Sequence, residues 1–241
     1  MTESLNRRTL CEGLGTCLLT TAVVGSGIMA DRLAGNNAAI ALLANTIATG
    51  AALVALILTF APISGAHINP AVTLSLAAKG LMRWHEATAY VLAQFAGGVV
   101  GTVLAHVMFA VPLLSLSHHQ RAGLPQLISE FVATFGLLVI IWASVRAKHS
   151  VLAIAIAVAT YITAAYWFTS STSFANPAVT LARCITDTFS GIRPVDAPGF
   201  VVAQVLGALT ATTLCSWLFR LPHRSACLSG STGRPGTIRS S

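Results

Sequence analysis

The hexapeptide Asn69-Pro70-Ala71-Val72-Thr73-Leu74 occurs again, residue for residue, as Asn176-Pro177-Ala178-Val179-Thr180-Leu181, 107 positions further on. A small-polar stretch precedes each copy: Ser64-Gly65-Ala66-His67-Ile68 before the first and Ser170-Ser171-Thr172-Ser173-Phe174-Ala175 before the second. Asparagine is a strong N-cap and proline is favoured at the first helical position, so each copy predicts a loop feeding the start of a helix. The positive end of each helix dipole then carries an amide side chain. One Asn-Pro pair marks only a turn. Two identical copies at matching places require a chain built from two equivalent halves.

Composition says where such a chain resides. Hydrophobic residues make up 55% and charged residues 9%. A soluble domain carries about 25% charged residues, so this one lacks the means to cover a water-facing surface. Helices and closed barrels alone satisfy their backbone in lipid, and the long apolar runs here select helices. The net charge of +7 is scattered among loops without an aromatic-basic platform, which makes it a topology signal rather than a nucleic-acid surface. Cys11, Cys17, Cys184, Cys215 and Cys227 have no ligand spacing and read as packing thiols. His118-His119 reads as a solvated loop pair, so neither a metal nor a cofactor is expected.

Six spans are predicted, at about 9–30, 38–61, 85–111, 126–146, 150–169 and 199–219. Glu12 inside the first run, and the run's length, favour a retained helix over a cleaved signal peptide. The second span is expected to stop at Pro62. The two hexapeptide helices, reaching about Lys79 and residue 188, are too short to cross a bilayer, which takes about 20 residues. Residues 1–8 form a polar N-terminus, 9–111 a first half, 112–125 a connecting loop, 126–219 a second half, and 220–241 a Ser/Gly/Arg-rich tail expected to be disordered.

The halves match beyond the hexapeptide. Glu12 corresponds to Glu130, and Ala93-Gln94-Phe95-Ala96-Gly97 to Ala203-Gln204-Val205-Leu206-Gly207. Three spans per half is an odd number, so the second half inserts upside down relative to the first. Interrupted helices at matching positions of an inverted repeat point to a site at the bilayer midplane. With the N-terminus in the cytoplasm, ten Lys/Arg residues fall on the inner side and four on the outer, which supports two cytoplasmic termini. A buried Glu12 or Glu130 costs about 2.5–3.5 kcal/mol if unpaired. Each is therefore read as accepting hydrogen bonds from the adjacent loop, with Gln94 and Gln204 as further structural ties. Gly97 and Gly101, and Gly207 and Ala211, have the small-xxx-small spacing of close helix contacts.

This arrangement resembles the aquaporin or major intrinsic protein family over about residues 9–219. The resemblance implies an all-α membrane fold with six transmembrane helices and two re-entrant half-helices, a pore in each subunit, and a homotetramer in the inner (plasma) membrane. It implies that Asn69, Pro70, Ala71, Asn176, Pro177 and Ala178 form the pore motif, with the two asparagines as pore amides. Such pores select by diameter, lining groups and half-helix dipoles. His67 would line the inner half. The family's outer filter falls, counted without gaps, on Thr49, Ala164, Ser173 and Val179. The family's usual arginine after the second tripeptide is absent, since Val179 stands there. The expected constriction is wide and carries two hydroxyls, and Arg183, one turn beyond Val179, stands at the mouth or bonds to a loop. The segments Ser171–Thr180 and Asp187–Ile192 are similar to a bacterial subgroup associated with arsenic-resistance operons. That likeness implies arsenite and related metalloids or methylated arsenicals as preferred solutes, with glycerol and water as the alternative; the residues themselves imply a small neutral polyhydroxy solute.

An ion-coupled secondary transporter shares inverted repeats and broken helices. Its only midspan acids would be the equivalent pair Glu12 and Glu130, which tethering already accounts for. No nucleophile elbow, phosphate loop or His/Cys/Asp cluster points to an enzyme.

Overall fold

A computed structural model describes residues 3–219, which form eight α-helices: α1 (Leu5–Leu33), α2 (Ala38–Ser64), α3 (Pro70–Ala78), α4 (Trp84–Phe109), α5 (Leu124–Arg146), α6 (Val151–Phe168), α7 (Pro177–Ala182) and α8 (Ala197–Phe219). Six of them, all but α3 and α7, are long and apolar enough to cross a membrane. Large apolar side chains stand exposed along their outer faces, among them Leu43, Ile47, Leu92, Val100, Ile128 and Trp217. An outward apolar belt of this kind suits lipid, not water. The tail expected at 220–241, with Cys227, lies outside the described residues.

The local signals explain most boundaries. Asn37 caps α2 by accepting from the Ala39 and Ile40 amides, and Ser150 caps α6 by accepting from the Ala153 amide. Two expectations are corrected. Pro62 does not end α2: the helix runs on to Ser64 and stops at Gly65, whose left-handed φ of 91° lets its N–H reach the Ala61 carbonyl. A proline near a C-terminus forfeits one backbone bond, and the left-handed cap is what terminates the helix. The second short helix ends at Ala182 and tightens into a 3-10 turn, Arg183–Ile185, instead of reaching residue 188.

The halves pack as an inverted pair, α1 against α4 and α5 against α8, with α2 and α6 closing the bundle between them. One face carries residue 3, the α3–α4 and α5–α6 turns and residue 219, as the Arg8–Glu86 ion pair and the Arg146 bond to the Phe219 carbonyl show; it is called the terminal face below. The other, the loop face, carries residues 110–123 and 186–196. These loops knit together through Ser115 N–H to Ile185 O, Ser117 N–H to Cys184 O and Arg193 N–H to His119 O. Close helix approach rests on glycine. A Cβ on Gly97 or Gly101 would run into the α1 backbone at Gly13 or Cys17, and one on Gly207 into α5 at Phe131. Backbone cannot yield as a side chain would. Gly97→Ala is therefore expected to cost about 1–3 kcal/mol by overpacking, read as a lowered unfolding midpoint of the detergent-solubilised protein; an unchanged midpoint would mean that α1 and α4 can part freely.

Candidate functional site

The two short helices meet N-terminus to N-terminus inside the bundle. Asn69 caps α3, its Oδ1 accepting from the Ala71 amide at 2.9 Å; Asn176 caps α7, accepting from Ala178 at 3.0 Å and Val179 at 3.3 Å. Each side-chain NH2 then crosses to the opposite half. Asn69 Nδ2 donates to Ala175 O at 2.7 Å, and Asn176 Nδ2 donates to Ile68 O at 2.8 Å. An amide nitrogen has two hydrogens. One of each pair is committed to this cross-tie, which fixes the direction of the other.

The preceding loops reach the middle of the bundle as irregular backbone, whose N–H groups need partners. Glu12 Oε1 accepts from Ser64 Oγ at 2.6 Å and the His67 amide at 3.0 Å; its Oε2 accepts from the Ile68 amide at 2.6 Å and Gln94 Nε2 at 2.8 Å. Glu130 repeats the pattern with the Phe174 amide at 2.9 Å, the Ala175 amide at 2.9 Å and Gln204 Nε2 at 2.6 Å. Gln94 and Gln204 also donate to Thr73 and Thr180, the equivalent threonines of the two hexapeptides. Both carboxylates are wholly buried.

The loops are also held in an unusual backbone state. Ala66 and Ile68 have φ of 47° and 50°, and their counterparts Ser173 and Ala175 have 50° and 48°. Left-handed conformations are rare outside glycine and costly for a β-branched residue such as Ile68. The residue before each set, Gly65 at φ 91° and Thr172 at φ 62°, is left-handed as well. The sequence does not announce this, because none of the four is glycine.

These segments border a cavity of about 330 Å³. Leu76, Leu81, Trp142 and Val145 line it toward the terminal face; Thr49, Tyr166, Ser173 and Arg183 line it toward the loop face; Asn69, Asn176, His67 and Val179 lie between. Much of the wall is aliphatic, from Leu19, Val23, Leu53, Ile57, Val158 and Ile162. His67 Nδ1 lies 3.0 Å from Thr73 Oγ1, and its ring sits edge-on to Tyr90, whose hydroxyl donates to Ser64 O.

Of the four filter positions read from sequence, Thr49, Ser173 and Val179 line this cavity and Ala164 does not. Ala164 is exposed on the outer side of α6, in line with Ile156, Thr160 and Trp167. The inward stripe of α6 is Ile154, Val158, Ile162 and Tyr166, at steps of four. A residue two places from either Ile162 or Tyr166 points about 200° away, on the opposite face. Tyr166 therefore takes the place assigned to Ala164, and its hydroxyl donates to Thr49 Oγ1 at 3.3 Å. The Ser173 hydroxyl is buried with no hydrogen-bond partner among the described residues.

The region also holds two guanidinium groups. Arg183 Nε donates to the Ser190 carbonyl, and the guanidinium carbon stands 3.4 Å from the centre of the Phe174 ring. Arg121, from the connecting loop, stands 5.1 Å from that same ring centre. Its Nε donates to Gly191 O at 2.8 Å and its Nη1 to Ser171 O at 3.2 Å. Burial lowers the Arg121 pKa to about 10, which leaves it cationic at neutral pH. Sequence reasoning counted Arg121 only as a loop charge. Its burial depends on carbonyls 50 and 70 residues away, which no local pattern reveals. Among the described residues no group of three or more His, Cys, Asp or Glu side chains is placed to hold a metal.

The chain matches the family model described as "Major intrinsic protein" over residues 1–151 and 144–233. It is 56% identical over 216 residues to the aquaglyceroporin AqpS of Rhizobium meliloti (strain 1021), covering 90% of this chain and 91% of that protein. It is 30% identical over 148 residues to the glycerol uptake facilitator protein of Streptococcus pneumoniae, covering 55% of this chain and 62% of that protein. The X-ray structure of the aquaglyceroporin from Plasmodium falciparum superposes with a TM-score of 0.70 at 22% identity, covering 90% of this chain and 97% of that one, which is a likeness of fold. Together with the six apolar helices, the two cross-tied short helices and the cavity they share, these likenesses have one reading: the chain belongs to the major intrinsic protein family, as a multi-pass membrane protein of its aquaglyceroporin channels, which are not enzymes.

Proposed function

We propose that the protein is a passive channel for small neutral polyhydroxy solutes, with glycerol and water as its principal permeants. The observation that carries this is the cavity bordered by both asparagines, whose lining joins the hydroxyl residues Thr49, Tyr166 and Ser173 to an extensive aliphatic wall. Such a lining suits a molecule with a hydroxylated edge and a hydrocarbon edge. In this reading Asn69 and Asn176 are the pore amides, with Pro70, Ala71, Pro177 and Ala178 fixing their helices. Thr49, Tyr166, Ser173 and Val179 form the selective constriction, and His67 lines the inner half. The names of the relatives, an aquaglyceroporin and a glycerol uptake facilitator, favour the same solute class.

Arsenous acid is the second reading. It is an uncharged trihydroxy molecule at neutral pH, close to glycerol in shape and hydrogen-bonding pattern. Val179, where the family carries arginine, supports passage of solutes wider than water. The loop charges favour both termini in the cytoplasm of a plasma-membrane protein, and the family resemblance favours a homotetramer embedded in lipid. Light-scattering measurements on proteoliposomes test the solute. Glycerol is expected to enter well above the rate of protein-free vesicles, with no dependence on an ion gradient. Vesicles that take up arsenous acid but not glycerol would reverse the two readings, and uptake driven uphill by an ion gradient would replace both with coupled transport.

A further inference from the structure

We propose that Arg183, with Arg121 behind it, is the cation barrier of this channel, set one helical turn toward the loop face from the position where the family carries its arginine. The proposal rests on the channel reading above. Arg183 is only 2% exposed, yet it lines the cavity. Its Nε is fixed to the Ser190 carbonyl and its flat face to Phe174, while neither terminal nitrogen has a protein partner among the described residues. Those N–H groups are left for whatever occupies the cavity.

The charge is only partly compensated nearby, by the one carboxylate of Glu130 that acts on both guanidinium groups. No ion pair to Arg183 or Arg121 occurs among the described residues. Asp196 is committed to Arg193 at 3.0 Å, which holds its carboxyl below the usual range, and to the Arg121 backbone amide. Asp187 accepts from the His118 amide on the exposed loop. Glu130 accepts from the Phe174 and Ala175 amides and Gln204, neutral donors that leave it one negative charge against two guanidinium groups. Two buried guanidinium groups sharing one phenylalanine thus leave net positive potential at the mouth, where low dielectric strengthens it. A valine at 179 widens the constriction; a guanidinium one turn out keeps the charge without the obstruction. Neutral solutes pass a fixed charge, and cations do not.

The test uses proteoliposomes of the full chain loaded with a potassium gradient, reading both glycerol uptake and the reversal potential. Arg183→Gln and Arg183→Met, the second keeping contact with the Phe174 ring, are expected to raise potassium permeability roughly tenfold or more, with glycerol uptake altered but still above that of protein-free vesicles. Arg183→Lys should stay cation-tight, because it keeps the charge. The double variant Arg183→Gln with Val179→Arg should recover tightness. Either neutral variant conducting glycerol while remaining as potassium-tight as the parent overturns the proposal. Absence of glycerol uptake by the parent overturns the channel reading instead, so the two failures are distinguishable.

Discussion

Replacing Glu130 with leucine is expected to leave little functional protein in the membrane. The substitution is close in size and suits an apolar setting, so simple transfer would favour it. The opposite outcome follows from the three donors aimed at the carboxylate: the Phe174 and Ala175 amides and Gln204 Nε2, all within 2.9 Å. Each donor orphaned in a buried site costs on the order of 1–3 kcal/mol. The sum exceeds about 3 kcal/mol, against a total stability of about 5–15 for a typical domain. The loop would lose the partner of the Phe174 and Ala175 amides, beside left-handed Ser173 and at left-handed Ala175. Thermal unfolding in detergent should show a lower, broader transition, and glycerol uptake per inserted molecule should collapse. Glu130→Gln should fall between, because one acceptor oxygen becomes a donor facing other donors. A leucine variant that melts with the parent protein and conducts normally would show that the loop holds itself.

Val179→Arg is the second large effect. Val179 is 4% exposed, packs with Leu19, Val23, Leu56, Phe60 and Ile68, and lines the cavity. A longer side chain there has one open direction, into the cavity, opposite Thr49 and Tyr166. It also places a second cation one turn from Arg183, and like charges repel at that spacing. Glycerol permeability is expected to fall roughly tenfold or more while water permeability falls far less, because a narrowed pore rejects by diameter. Stopped-flow measurements of both solutes on one preparation give the ratio directly. An unaltered glycerol-to-water ratio would remove Val179 from the constriction.

The residues differ in how openly they announced these positions. The meeting of the two hexapeptides could be read because the repeat is identical and its inversion follows from an odd number of spans. Glu12 and Glu130 could be placed beside the loops because each half offers one span acid. Ala164 was misplaced for a physical reason. Counting back from Asn176 through an irregular loop carries the distance but loses the helical phase. The phase was available in the steps of four from Ile154 to Tyr166, which set the inward face of α6. The left-handed Ala66, Ile68, Ser173 and Ala175 were hidden because none is glycine and their amides are held by side chains, Ile68 and Ala175 by the carboxylates and Ala66 and Ser173 by Ser64 and Ser171. Arg121 was hidden because its partners are distant carbonyls. Arg183 could be placed near Val179, but its stacking on Phe174 depends on the 3-10 turn that begins at that residue.

The exchanged amide bonds have a consequence for how the chain is made. Asn69 finds its acceptor on Ala175, and Ile68 finds its donor on Asn176. When the ribosome has delivered only the first four helices, the segment around residue 68 has a carboxylate to hold it on one side and nothing opposite. It must wait, half-docked between water and lipid, until Ala175 and Asn176 arrive with the second half. Assembly at the centre is thus a single late event shared by both halves, and an insertion machine that released the first half early would release it unfinished.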